Sequence, residues 1–371
     1  MDSRRKWGMM RPTMHRAVSI LLAAGLAGCT GLRVNLVDSA YQRPSNVAVY
    51  FTVDGPNGEP IPGLQADDFR IYEDGQIVSE AESQQTIVNP EVAAEHFTLV
   101  LVDMSGSVSE SDQVPLIEAA TQELTSQLGA HQRVAIYAFD GSEEIHRITG
   151  FTQSAGAASA GAGRLSGFRP RDPSTNLHGA VVAAIAELDR ELERARAPLR
   201  FGTIVVFTDG SDRAARVSQD EMGRAIVESP YDVFAIGVGD EISEGVLGYV
   251  GREGYVMVED REQVSAAFQR IGERILAMTQ RYYLLSYCSP ARAGTHTVTV
   301  EAVTDAGTGG VHYEFDATGF GPNCNPNQPP PFDTSQGGAT PRQRGRAGRG
   351  SRIEVRTPRP RASVTVEASA E

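Results

Sequence analysis

The stretch Leu99-Val100-Leu101-Val102-Asp103-Met104-Ser105-Gly106-Ser107 decides how the rest of the chain reads. Its apolar half closes a run over residues 97–102. Such a run, without polar alternation, predicts a strand buried on both faces, as in a parallel sheet covered by helices. A helix is expected next, capped by Ser111 or Asp112. Its inward face would carry Val114, Ile117, Ala120 or Thr121, Leu124 and Leu128, which recur at helical spacing. Further out, residues 133–139, 203–207 and 232–238 read as strands, and residues 144–148 as a short edge strand. Leu177, Val181, Ala184, Ile185, Leu188 and Leu192 share one helical face, and Val264, Phe268, Ile271 and Ile275 mark a closing helix. Apolar strands alternating with amphipathic helices predict an α/β fold: a doubly wound, mostly parallel sheet.

Asp103-x-Ser105-x-Ser107 stands at the carboxyl end of the first of these strands, and Asp209-Gly210 at the end of another. Thr175 lies just before a helix, in Asp172-Pro173-Ser174-Thr175-Asn176-Leu177. Ligands of open parallel sheets bind beyond the carboxyl ends of the strands. Three distant segments therefore send oxygen donors to one edge. Hydroxyls and carboxylates suit a hard cation, Mg²⁺ first and Mn²⁺ or Ca²⁺ as alternatives. Five groups leave part of an octahedral shell for an incoming acid, and mainly neutral donors keep the ion electrophilic. Gly106 and Gly210 let the loops turn tightly beneath it.

Asp103, Ser105, Ser107, Thr175 and Asp209-Gly210 match, in order, the metal-ion-dependent adhesion site of von Willebrand factor type A domains, and the region 96–280 resembles that family. Phe234-Ala-Ile-Gly-Val-Gly-Asp240 is similar to its later strand and turn. The resemblance implies that Ser105 and Ser107 coordinate directly, Thr175 directly when ligand is bound, and Asp103 and Asp209 directly or through water. It also implies that the partner offers an Asp or Glu side chain of another protein.

Residues 46–95 are dense in short strands and turns, with a hairpin expected at Asp74-Gly75. They suggest a small β-sandwich-like module. The stretch from Gly58 to Gly75 resembles the leading segment of bacterial secreted proteins with a type A domain. Residues 281–320 return to β pattern and are candidates to pair with 46–95. Residues 29–45 are expected to be a tether. Residues 321–371, rich in Pro, Gly and Arg, are expected to be a disordered tail. Cys288 and Cys324 are expected to form a disulfide, which an extracytoplasmic compartment permits; the alternative is a buried thiol at Cys288 and a free one at Cys324.

Residues 1–28 combine a basic start, a short apolar run and small residues, as a secretory signal does. Leu26-Ala27-Gly28-Cys29 resembles the lipobox of bacterial lipoproteins. That resemblance implies lipidation of Cys29, membrane attachment through acyl chains, and, with Thr30 next, sorting to the outer membrane, facing the periplasm or the cell surface.

The chain has 371 residues and a formal charge of −13, which argues against a nucleic-acid partner. Three cysteines exclude a disulfide-dense scaffold. Seven scattered histidines lack metal-ligand spacing, Gly-x-Ser-x-Gly is absent and no phosphate loop occurs, so an enzyme is not expected. The expected function is that of a lipid-anchored envelope protein that uses a cation to capture an acidic group of a protein partner. The alternative is an envelope scaffold with an unoccupied metal site. Oligomeric state cannot be read from the sequence.

Overall fold

Strand β6, Ala94–Asp103, lies at the middle of the molecule and is buried from Phe97 onward. Its side chains alternate between two cores. Val100 and Val102 face helices α3 (Val114–Leu128) and α8 (Val264–Gln280). Leu99 and Leu101 face α5 (Leu177–Arg194). This double burial is why the strand reads as an unbroken apolar run.

A computed structural model describes residues 31–88, 94–197, 199–332 and 350–354. Before β6 come β1 (Arg33–Gln42), β2 (Asn46–Asp54), β3 (Phe69–Glu73), β4 (Gln76–Ile77), α1 (Glu80–Ser83) and β5 (Thr86–Val88). After it follow α2 (Gly106–Ser109), α3, β7 (Arg133–Phe139), β8 (His146–Thr152), α4 (Ala155–Ala162), α5, β9 (Leu199–Thr208), α6 (Gln219–Glu228), β10 (Asp232–Val238), α7 (Glu244–Val250), β11 (Gly254–Val258) and α8. The chain closes with β12 (Tyr282–Cys288), β13 (Thr295–Thr304) and β14 (Gly307–Asp316).

The central sheet runs β11-β10-β9-β6-β7-β8, with only β8 antiparallel. Two antiparallel sheets, β1-β2-β12-β5 and β14-β13-β3-β4, enclose a third core around Phe51, Phe69, Tyr283 and Val300. The α/β unit is thus threaded between the two halves of one β-sandwich. Strand β12 pairs with β2, and β13 with β3. The Asp74-Gly75 turn has positive φ at both residues, 50° and 77°, as a two-residue hairpin requires.

The sandwich seats against the amino-terminal edge of the central sheet. The outer face of β2 offers Ala48 and Tyr50 to Ala94, Leu199, Leu284 and Phe332. The Tyr50 ring centroid lies 5.7 Å from Tyr282 and 6.4 Å from Phe201. All nine residues of β2 are consequently buried.

Several expectations are revised. The segment 29–45 is not simply a tether, because Arg33–Gln42 is strand β1, antiparallel to β2. The buried backbone of β2 needs partners on both sides, and β12 supplies only one. Neither Ser111 nor Asp112 is the cap of α3, whose flanking residue is Gln113, although Ser111 Oγ accepts from the Gln113 amide. The edge strand is displaced from 144–148 to His146–Thr152.

The expected tail has an ordered beginning. Asn46 Nδ2 donates to the carbonyls of Asn325 and Gln328, each at 2.7 Å, and Phe332 is buried. Cys288 and Cys324 are bridged, with Cα atoms 5.7 Å apart. Residues 350–354 also pack on the α/β unit. The remaining tail residues, and Cys29 with the signal segment, lie outside the described residues.

The bridge closes a loop with a sequence separation of 36. Chain entropy then predicts that replacing both cysteines by Ser lowers stability by about 3–4 kcal/mol. Denaturant unfolding under non-reducing conditions checks this, and dithiothreitol should erase the difference between the two proteins.

Candidate metal centre

The site forms where β6 and β9 end side by side. Asp103 closes β6 with no solvent exposure. Its Oδ1 accepts the Ser105 amide at 3.0 Å, and its Oδ2 accepts the Thr208 hydroxyl at 2.7 Å. The carboxyl thereby folds the chain back on itself, so that Ser105 becomes the residue flanking the one-turn helix α2. Ser105 Oγ and Ser107 Oγ come within 3.3 Å of each other. Ser107 then donates to Asp209 Oδ1 at 3.0 Å, across 102 residues of sequence.

The third segment is fastened to both others by backbone. The Gly106 amide donates to the Pro173 carbonyl at 2.8 Å, and a Cβ on Gly106 would lie 3.1 Å from Pro173 Cβ. That approach is the physical reason for a glycine here. The Thr175 carbonyl accepts the amides of Arg213 and Ala214. Thr175 Oγ1 lies 3.9 Å from where a Cβ on Gly210 would stand, and Asn176 then caps α5 through the Gly179 amide. Thr175 is 4% exposed, and among the described residues its hydroxyl takes no hydrogen bond.

Asp103, Ser105, Ser107 and Asp209 thus form one hydrogen-bonded cluster, with Thr175 beside Gly210. Ser105 is buried and Ser107 exposed, so the cluster opens to solvent on the Ser107 side.

The two acids of the cluster share an electrostatic problem. Burial pushes the Asp103 carboxyl up to about 7 against the Ser105 amide and Thr208 hydroxyl, and the neighbouring Asp209 charge adds to the rise. Asp209 is raised as well, by burial first, with Glu241 adding and the Ser107 hydroxyl opposing. Asp140 at the end of β7 behaves oppositely. Burial disfavours its charge, but donors from Ser142, Arg171 and Asp172 outweigh that and hold it below the usual carboxylate range. Asp140 is satisfied by protein donors, whereas among the described residues Asp103 has no cation beside it and Asp209 feels Arg213 too weakly to offset its burial. Arg213 is the nearby cation, and it pairs with Glu241 where both are more than half exposed. Such a pair is worth only about 0–1 kcal/mol.

This donor set fits a hard divalent cation: neutral hydroxyls, two carboxylates, and the Thr175 hydroxyl, which no described residue engages. Among the described residues no group of three or more His, Cys, Asp or Glu converges.

Thr208 and the Pro173 carbonyl hold the site together and are not distinguished in the sequence. Thr208 is one more β-branched residue at a strand end, and a carbonyl leaves no residue signature. Only the position of Thr208 between an apolar run and Asp209 hints at its part.

Residues 98–211 match the family model of the von Willebrand factor type A domain, so the chain carries such a domain. Among solved structures it is similar to proximal thread matrix protein 1 from the mussel byssus with a zinc-occupied MIDAS motif. That likeness has 15% identity, covers 49% of this chain and 48% of that one, and has a TM-score of 0.42. It is also similar to a von Willebrand factor type A protein from Catenulispora acidiphila, at 12% identity, 78% and 73% coverage and a TM-score of 0.39. BatB from Bacteroides thetaiotaomicron has 16% identity, 49% and 98% coverage and a TM-score of 0.39. The chain spans about half the length of the mussel protein's structure. No curated protein matches the chain.

Thr208→Val keeps the shape and deletes the donor to Asp103 Oδ2. An ionised, buried acceptor left without its donor costs about 1–3 kcal/mol. The loss should be largest at pH 8, where Asp103 is charged, and smaller at pH 5, where it is protonated. Parallel urea titrations of both proteins at the two pH values measure it.

Proposed function

We propose that the protein is a lipid-anchored binding protein of the cell envelope that captures an acidic group of a protein partner through a divalent cation, most simply Mg²⁺. Ser105, Ser107 and Thr175 would hold the ion through neutral oxygens, and Asp103 and Asp209 through carboxylates. The bound ion would supply an electrophilic centre for a partner carboxylate. The protein's own part is to fix the donors before the partner arrives. Asp103 sets the loop, Ser107 and Asp209 tie two strand ends together, and Gly106 seats the third segment against Pro173.

The observation that carries this reading is the convergence of three distant segments on one sheet edge, with the hydroxyl of Thr175 unclaimed. The net charge of −13 opposes an acidic partner at long range. Salt screens that repulsion beyond about 8 Å, so the cation decides the encounter at contact. The hydroxyl-rich cluster pairs Ser107 with the Asp209 carboxylate alone, and a binding role follows more directly from it than a catalytic one. Among the described residues no helix is long and apolar enough to cross a membrane, so attachment would rest on acyl chains at Cys29.

Two experiments test the reading. Mg²⁺ should raise the melting temperature, and Asp103→Ala should abolish that shift. Partners recovered from envelope extract in Mg²⁺ should be lost in EDTA. An equal thermal shift in the variant would remove the cation, and EDTA-resistant capture would favour the scaffold reading. Cys29→Ser tests the anchor separately: the variant should leave the membrane fraction while keeping its response to Mg²⁺.

A further inference from the structure

The central sheet ends at β11, whose outer edge would expose unpaired amides and carbonyls to solvent. A short segment of the same chain covers it. The Tyr255 amide donates to the Ser351 carbonyl at 3.1 Å, and the Ile353 amide donates to the Tyr255 carbonyl at 2.7 Å. Tyr255 and Arg352 form a parallel bridge. The Gly350 amide donates to the Gly248 carbonyl of α7 at 2.7 Å.

Side chains add to this backbone pairing on both faces. Ile353 packs against the core beneath α3 and α8. It lies over Gly254, where a Cβ would stand 2.6 Å from Ile353 Cδ1, so the missing side chain makes the seat. Gly254 also has a φ of +151°, which other residues rarely adopt. On the opposite face Arg352 pairs with Glu244 at the start of α7. At the upstream end a Cβ on Gly350 would strike the Gly251 carbonyl at 1.8 Å, so only a glycine fits.

We propose that the outer edge of β11, with the seat over Gly254, is a strand-addition site for extended peptides that carry a basic residue followed by an aliphatic one, and that residues 350–354 are its intramolecular ligand. The pattern glycine, any residue, basic, aliphatic reads directly off the contacts. Main-chain hydrogen bonds hold the strand, and alternate side chains select it. Residues 333–349 separate this ligand from Phe332. Because ligand and edge belong to one chain, the docked segment competes with free peptide as an intramolecular ligand. Releasing the tail would open the edge to an equivalent strand of another protein.

The test uses the full chain and a fluorescent peptide spanning residues 350–355, followed by anisotropy. Ile353→Asp, which undocks the tail, should bind the peptide at least about tenfold more tightly than the wild type, whose own tail competes. Because Ile353 touches the core, Gly350→Val is the second variant: it blocks docking at Gly251 and leaves the core alone. In either background, Glu244→Arg should weaken the native peptide about threefold, as expected for one exposed ion pair. A peptide with Glu in place of Arg352 should then recover the loss. Equal peptide binding by the wild type and both variants would overturn the proposal. A wild-type dimer that both variants convert to monomer would overturn the intramolecular pairing, because the strand would then belong to a second copy.

Discussion

A carboxyl group with no access to water terminates the central strand, and the functional edge is arranged around that fact. Asp103 cannot be solvated, so the Ser105 amide and the Thr208 hydroxyl must serve it. Serving it fixes the turn after β6 and draws the end of β9 alongside. Ser107 then reaches Asp209. Removing the Asp103 side chain takes away the acceptor that shapes the loop as well as one prospective ligand. The same burial raises both acids, and a divalent cation at the cluster would favour their charged forms. Asp140, also without solvent exposure, has protein donors that outweigh the cost of its burial.

Much of the α/β unit was legible in the sequence because its strands are buried on both faces, and such strands leave unbroken apolar runs. The five candidate ligands were legible for a related reason. They stand at the end of an apolar strand, just before a helix or, for Ser107, in the single turn that follows the strand, where a parallel sheet places its ligands. Strand β1 was not legible: Arg33–Gln42 mixes polar and apolar residues, since it is an edge whose role is to complete the hydrogen bonding of β2. Phe332 and Ile353 were missed because single apolar residues in a Pro-, Gly- and Arg-rich stretch carry no period. Their meaning comes from surfaces far away in sequence, Tyr50 for one and Gly254 for the other.

The strands that flank the α/β unit in sequence pair at the middle of the sandwich, β2 with β12 and β3 with β13. In the central sheet the edges fall to β8, which runs antiparallel to β7, and to β11, whose outer side residues 350–354 cover. That cover is short and held partly by an exposed ion pair.

The threading of the α/β unit through the sandwich has a mechanical consequence. Its entry from β5 and its exit into β12 both lie at the edge opposite the Asp103 and Asp209 cluster. A partner pulling on that cluster would load the central strands along their length, where hydrogen bonds resist shear together. The tension would then divide between two covalent connections into one sandwich. Anchoring of this kind lets a small domain hold a load that a single flexible stalk would pass to one strand alone.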